Sequence, residues 1–293
     1  RLFKSIKSRI KKHLQKFMKG IILAGGLGTR LHPSTISTSK QLLPIYDKPL
    51  IYFPVTTLMS AGINEILIIS TEDCIPLYKK LFGNGQKLGI EISYAVQDDP
   101  KGIAEAFIIG EEFIGNSHSI LILGDNIFYG SDLTKQLTEI AANPTDGAQI
   151  FAYKVSDPER YGVVDFTEDL KVLSIEEKPI IPKSKFAVTG LYAYDPEVTQ
   201  LAKSLTPSHR GELEITDLNN LYLEKNSLEV TLMSPSDAWL DAGTPDSLLE
   251  AAHFVQAIQN SQSIQIGCPE ESALKQNFIT KQGFESLVKT APK

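Results

Sequence analysis

The sequence predicts an α/β fold: a mixed, mostly parallel sheet flanked by helices, with further helices at its C-terminal end. Three observations carry this expectation. Short apolar runs bounded by glycine or charge recur along the chain, as buried strands require. Stretches of helical periodicity lie between them, the alternation that a parallel or mixed sheet demands. The 293 residues are 42% hydrophobic, enough to cover such a sheet on both faces.

The elements follow in order. Residues 20–24, GIILA, form the first expected strand, and Gly25, Gly26 and Gly28 come straight after it. Glycines there let a ligand approach the main chain, and exposed N–H groups in such a turn make an anion nest. EILIIS (65–70) and EISYAVQ (91–97) read as the next buried strands, and GIAEAFIIGEEFI (102–114) as a helix. SILILGD (119–125) is a strand ending in Asp125. AQIFAYKV (148–155), YGVVDF (161–166) and VLSIEEKP (172–179) are three more. Helices are predicted over 196–205 and 212–226, a late strand over 228–234, and a long amphipathic helix over 244–262. With no repeat and no low-complexity linker, this is one domain with an insertion and a helical tail: residues 18–243 as the catalytic unit and 244–293 as the extension.

Charge is distributed unevenly. Residues 1–19 carry Arg1, Lys4, Lys7, Arg9, Lys11, Lys12, Lys16 and Lys19 and no acid, although the whole chain has a net charge of −6. The body is therefore acidic, which argues against general nucleic-acid binding. The basic head spaces Leu2, Phe3, Ile6, Ile10, Leu14 and Phe17 as a surface-seeking helix would. Met18 stands directly before the first strand, so residues 1–17 are expected to be an added leader or an extended reading frame. No apolar run reaches the length of a membrane span. Two distant cysteines, Cys74 and Cys268, give no disulfide framework, and a reducing cytoplasm is the expected setting. The five histidines form no zinc pattern, and no G-x-S-x-G elbow supports a serine hydrolase.

The glycine loop matches neither common phosphate motif. The dinucleotide fingerprint needs glycine where Leu31 stands, and the P-loop needs Lys-Ser/Thr where Thr29-Arg30 stands. What remains is a glycine turn with a fixed cation, Arg30, and a second cation, Lys40, ten residues on. In open α/β sheets ligands sit beyond the carboxyl ends of the strands. Gln97, Asp125, Lys178 and Asp241 each follow an apolar run, so topology draws them toward that edge. Two carboxylates at strand ends can share Mg²⁺ with phosphate oxygens and water. With Arg30, Lys40 and Lys178 the inventory suits phosphoryl or nucleotidyl transfer.

From Met18 onward the chain resembles the glucose-1-phosphate thymidylyltransferases, sugar nucleotidylyltransferases with a Rossmann-like domain. The strings that carry the resemblance are GIILAGGLGTRL, SKQLLPIYDKP, GEEFIG, LGDNIFYG, DPERYGVV, EEKP, AVTGLYAYD, RGELEIT and WLDAGT. The resemblance implies transfer of a thymidylyl group from dTTP to α-D-glucose 1-phosphate, the first step toward dTDP-L-rhamnose, with no covalent enzyme intermediate. It implies that Gly25, Gly26, Gly28 and Thr29 wrap the nucleotide, that Arg30 stabilises departing pyrophosphate, and that Lys40, with Gln41 beside it, adds charge near the phosphates. Gln97 and Gly102 would meet the thymine, and Asp125 and Asp241 would bind Mg²⁺. Asn126, Tyr161, Gly162, Glu177 and Val188 would contact glucose, and Lys178 would hold the sugar phosphate. It further implies a homotetramer and feedback by dTDP-L-rhamnose.

Some positions depart from the family pattern. Lys101-Gly102-Ile103-Ala104-Glu105-Ala106 stands where Asp-Gly-Leu-Ala-Gln-Ala is usual, beside the base. Asp241-Ala242-Gly243-Thr244 replaces Asp-Thr-Gly-Thr and keeps the carboxylate. The family's aromatic closing string is not found before Lys293, so feedback at a site on subunit contacts is expected to be weaker than in relatives with the full tail. The alternatives are a uridylyl- or cytidylyltransferase on the same scaffold, a non-catalytic sugar-nucleotide sensor and a metal-dependent glycosyltransferase. Joint retention of Arg30, Asp125, Lys178 and Asp241 disfavours the sensor. The glycine loop with its following lysine disfavours the glycosyltransferase.

Overall fold

The computed structural model describes residues 18–26 and 28–290. The basic segment 1–17, with its expected role as a leader, lies outside the described residues. The strands are β1 (Met18–Leu23), β2 (Pro44–Ile45), β3 (Lys48–Pro49), β4 (Glu65–Ser70), β5 (Glu91–Val96), β6 (His118–Leu123) and β7 (Asn126–Tyr129), then β8 (Ala148–Lys154), β9 (Gly162–Phe166), β10 (Val172–Glu177), β11 (Phe186–Tyr194), β12 (Leu228–Leu232) and β13 (Ala238–Asp241). Among the described residues nine of these build one mixed sheet. Its path is β10-β9-β11-β6-β1-β4-β5, with β8 on β11 and β12 on β8. The β5-β4-β1-β6 half is parallel, and β11 joins it antiparallel along β6.

Both faces of β4, β1 and β6 are covered, so their inner runs are continuously apolar rather than alternating, while the edge strand β5 is only partly buried. Successive side chains still point to opposite faces. Ile22, Ile68, Ile120 and Ile122 enter one core with helix Tyr52–Ser60. Ile21, Leu67, Ile69 and Leu121 enter the other with Phe107 and Tyr222. A third apolar cluster joins Ile45, Leu50, Phe53 and Ile127 to Ala251, Val255 and Ile266. It seats the long helix Pro245–Gln262, whose start is fixed by a reciprocal cap. Thr244 accepts from the Ser247 amide at 3.2 Å, and Ser247 Oγ accepts from the Thr244 amide at 2.9 Å.

The structure corrects the sequence reading at several points. The helix expected over 102–114 is two short ones, Glu105–Ile109 and Glu111–Ile114, broken at Gly110. The strand expected over 172–179 stops at Glu177, because Lys178 turns to a φ of 44°. Helix Tyr52–Ser60 was not anticipated: YFPVTTLMS is rich in aromatic and β-branched residues and is apolar around most of its circumference, so it shows little helical periodicity. The four-residue strands β7 and β13 are too short to alternate legibly.

The C-terminal helices are tied to the body at Gly89. Its φ is +68°, and a Cβ there would lie 2.1 Å from the Phe278 carbonyl oxygen. Gly211 has a similar φ of +76° with nothing within 4 Å of the corresponding position. Gly211→Ala is expected to cost about 1 kcal/mol, for the positive φ alone. Gly89→Ala is expected to cost about 3 kcal/mol or more, since backbone must also move. Urea unfolding of both variants measures the difference, and equal losses would show that the Phe278 segment yields freely.

Candidate active site

The site is built around two carboxylates on adjoining short strands. Asp125 follows β6 and directly precedes β7, and Asp241 ends β13. These strands pair antiparallel with Asp241 opposite Asn126, and the Ala242 amide donates to the Asp125 carbonyl at 3.0 Å. The register therefore brings both acids together at the carboxyl edge of the sheet.

Their surroundings differ. Lys40, itself 7% exposed, forms an ion pair with Asp125, and Asn126 Nδ2 donates to Asp125 at 3.0 Å. Burial pushes the Asp125 pKa up, but the Lys40 charge and these hydrogen bonds together hold it below the ordinary carboxylate value. Among the described residues, no cation is bonded to Asp241 in this way. Burial and the neighbouring Asp125 charge push it up from 3.8 to about 6, against the pull of Lys40, Arg30 and Arg160. Asn126 is a brace as well as a lining residue: its Oδ1 accepts from the Gly190 amide at 3.1 Å and from Trp239 Nε1 at 2.6 Å.

A cavity of about 330 Å³ opens over this floor. It is lined by nine of the residues singled out from sequence: Arg30, Asp125, Asn126, Tyr161, Gly162, Glu177, Lys178, Val188 and Asp241. Arg30 rides on a single helical turn, Thr29–Leu31, that starts at Gly28 with φ 60°. Its guanidinium lies 3.3 Å from where a Gly243 Cβ would stand. Glu177 accepts from Thr216 at 2.8 Å and lies 3.6 Å from the Lys178 ammonium.

The other predicted residues lie around this cavity rather than on its wall. Lys40 reaches it through Asp125. Gly25 and Gln97 touch each other, and a Cβ on Gly25 would come within 2.3 Å of Gln97 Oε1. Gly26 and Thr29 are exposed on the loop, and Gly28 folds back on Thr35, whose hydroxyl donates to the Gly28 carbonyl at 2.7 Å. Gln41 is 3% exposed, bonded to Ser39 and packed beneath Gly124. Gly102, at φ +106°, lies against the Leu213 main chain. There the Leu213 amide donates to the Lys101 carbonyl at 2.7 Å and its carbonyl accepts from the Ala104 amide at 3.2 Å.

Sequence reasoning missed Arg160, Arg210, Trp239 and Glu214, which all line the cavity. Arg210 is gripped by Glu214 in a two-bond fork of 2.7 and 3.0 Å, with Glu177 at 3.7 Å. Burial opposes the Glu214 charge, but the bonds from Arg210 and Ser208 hold its pKa below the ordinary value. In sequence an arginine followed by Glu212 and Glu214 reads as an ordinary surface pair. Position within RGELEIT was the available signal for Arg210, and position beside Tyr161 the signal for Arg160.

Residues 19–258 match the family model described as nucleotidyl transferase. A glucose-1-phosphate thymidylyltransferase from Neisseria meningitidis is 55% identical over 276 residues, covering 94% of this chain and 96% of that protein. One from Mycobacterium tuberculosis is 50% identical over 274 residues, with 94% and 93% covered. A crystal structure from Bacillus anthracis, described as a glucose-1-phosphate thymidylyltransferase with bound sucrose, superimposes at a TM-score of 0.77 and 43% identity. It covers 86% of this chain and 98% of its own. A UDP-glucose pyrophosphorylase at 24% identity shares the fold, with a TM-score of 0.72.

The two acids make opposite contributions to stability. The folded protein holds the Asp241 proton more tightly than the unfolded chain does, so this group's contribution falls as pH rises from about 4 through about 6. Asp241→Asn removes the repelled charge. In the metal-free state at pH 8 the variant is expected to be more stable than the parent by about 2 kcal/mol, with the gap closing near pH 4. Urea midpoints at the two pH values test this. A variant less stable than the parent at pH 8 would show that Asp241 is favourably paired when ionised.

Proposed function

The chain belongs to the nucleotidyl transferase family, and we propose that its cavity joins dTTP to α-D-glucose 1-phosphate, releasing dTDP-glucose and pyrophosphate. The observation that carries this reading is one cavity where two mutually repelling carboxylates meet, with Arg30, Lys178 and Arg210 on the same lining. That is the charge pattern for two phosphate-bearing substrates meeting at a common centre.

A phosphate oxygen of the sugar attacks the α-phosphorus of the nucleotide. The new P–O bond forms as the bond to the bridging α–β oxygen breaks, and that electron pair leaves on pyrophosphate. Arg30 meets the growing charge on the leaving group, while Gly25, Gly26, Gly28 and Thr29 offer main chain to the nucleotide. Lys178 holds the sugar phosphate. Tyr161, Gly162, Glu177, Asn126 and Val188 form the sugar face, and Glu177, fixed by Thr216, accepts from sugar hydroxyls. Gln97 and Gly102 stand at the base, and Lys40 keeps Asp125 ionised. Asp125 and Asp241 fit Mg²⁺. No cluster of three or more His, Cys, Asp or Glu ligands occurs among the described residues, and two carboxylates completed by phosphate oxygens and water are a usual Mg²⁺ shell. When bound, the ion neutralises charge at the α-phosphate.

Homotetramer assembly, a cytoplasmic setting and feedback by dTDP-L-rhamnose belong to the same proposal. The room for an effector is a second cavity of about 570 Å³ away from the site, lined by Tyr129, Thr134, Ser263 and Cys268. No helix among the described residues is long and apolar enough to cross a membrane.

The decisive assay supplies glucose 1-phosphate with dTTP, UTP, dCTP, ATP or GTP and follows pyrophosphate release. dTTP is expected to give the highest kcat/KM, and a preference for UTP or dCTP would replace this reading with the uridylyl or cytidylyl alternative. Arg30→Ala is expected to lower kcat by about 2–4 kcal/mol of transition-state stabilisation with little change in the sugar-phosphate KM. A rise in that KM alone would place Arg30 on the sugar phosphate instead.

A further inference from the structure

We propose that Glu105 is a positioning residue that sets pyrimidine specificity by locking the Gln97 amide in one of its two orientations. The inference rests on the thymidylyl-transfer reading, in which Gln97 stands at the base. Gln97 follows β5, is 3% exposed, and anchors its own amide to the Ser70 carbonyl at 2.8 Å. Its side-chain Nε2 donates to Glu105 Oε2 at 2.7 Å. The same oxygen accepts from the Lys101 main-chain amide at 3.3 Å, so the carboxylate is held from a second direction.

A carboxylate offers only acceptors. Ordinarily the two ends of a glutamine amide are distinguished only by the partners around them. Here a flip would face two oxygens across the 2.7 Å contact. The lock therefore decides which end points the other way. Gln97 Oε1 lies across Gly25, the first glycine of the nucleotide loop. The face shown to an incoming base is an acceptor.

Thymine and uracil carry a donor at N3, and cytosine carries an acceptor there. A thymine N3–H satisfies Oε1. A cytosine N3 sets lone pair against lone pair, and the amide can turn to suit it only by breaking its bond to Glu105. Leaving buried polar groups unmatched in this way discriminates far more strongly than shape does.

The test compares the parent with Glu105→Leu, which removes the acceptor, and Glu105→Gln, which keeps one acceptor oxygen. Calorimetric affinities for dTTP and dCTP carry the comparison, and kcat/KM for each nucleotide with glucose 1-phosphate runs in parallel. The dTTP-to-dCTP affinity ratio is expected to fall at least about tenfold in Glu105→Leu and to be restored only in part in Glu105→Gln, whose amide offers a donor as well as an acceptor. A purely structural role would weaken both nucleotides together and leave the ratio unchanged, and that result overturns the proposal. So does a parent protein that binds the two nucleotides equally. A parent that selects dTTP in binding and loses the selection in Glu105→Leu, yet forms no dTDP-glucose, supports the lock and overturns only the reaction.

Discussion

Two carboxylates held side by side in a partly closed cavity repel each other, and the architecture around the site is arranged to keep them there. The pairing of β7 with β13 sets their spacing through main-chain bonds that do not depend on charge. Lys40 and Asn126 then lower the energy of one acid and leave the other raised. Asn126 could not do this alone. It is locked by Gly190 and Trp239, which lie on β11 and β13, so the sheet and the short ribbon brace the same side chain. The cap on helix Pro245–Gln262 begins three residues after Asp241 and fixes the chain's exit from the site. Stability is thus given up locally where two like charges are held together, a common pattern at functional sites.

Much of this was legible in the sequence because strand ends are legible. Buried parallel strands announce themselves as apolar runs, and the first polar group after each lands on one edge of the sheet. Asp125 and the glycine loop were placed in that way, whereas Lys178 follows β10, a half-buried strand that pairs antiparallel with β9 and reaches the site because Glu177 lies opposite Gly162. Other features depended on partners that sequence spacing does not reveal. Arg210 reads as one arm of a surface ion pair until the fold brings Glu177 to it from β10. Trp239 looks like a core residue, and only the β7–β13 register shows its indole donating to Asn126. The break at Gly110 was hidden because 102–114 keeps helical periodicity across it, and the turn appears only where Gly110 is pressed against Leu67 and Ile21.

The departures from the family pattern also read differently in three dimensions. Glu105 is an acid in a segment proposed to lie beside the base, which by charge alone would look unfavourable for a nucleotide. Its carboxylate is instead engaged by Gln97 and the Lys101 amide. Ala242, where the family usually carries threonine, is fully buried in the cluster that seats the long helix, so the change falls on packing and leaves the Asp241 carboxylate in place.

The contact between Gly102 and Leu213 has a consequence for how such a site endures sequence drift. Leu213 lies between Arg210 and Ile215, which line the cavity, while Lys101 to Ala104 precede Glu105, the partner of Gln97. The two are joined by a pair of main-chain hydrogen bonds. Nineteen of the twenty genetically encoded residues carry the amide that this joint needs at position 213; proline alone lacks it. The two segments can therefore accumulate side-chain changes independently without coming apart. A joint written in peptide groups leaves the side chains on either side of it free to diversify.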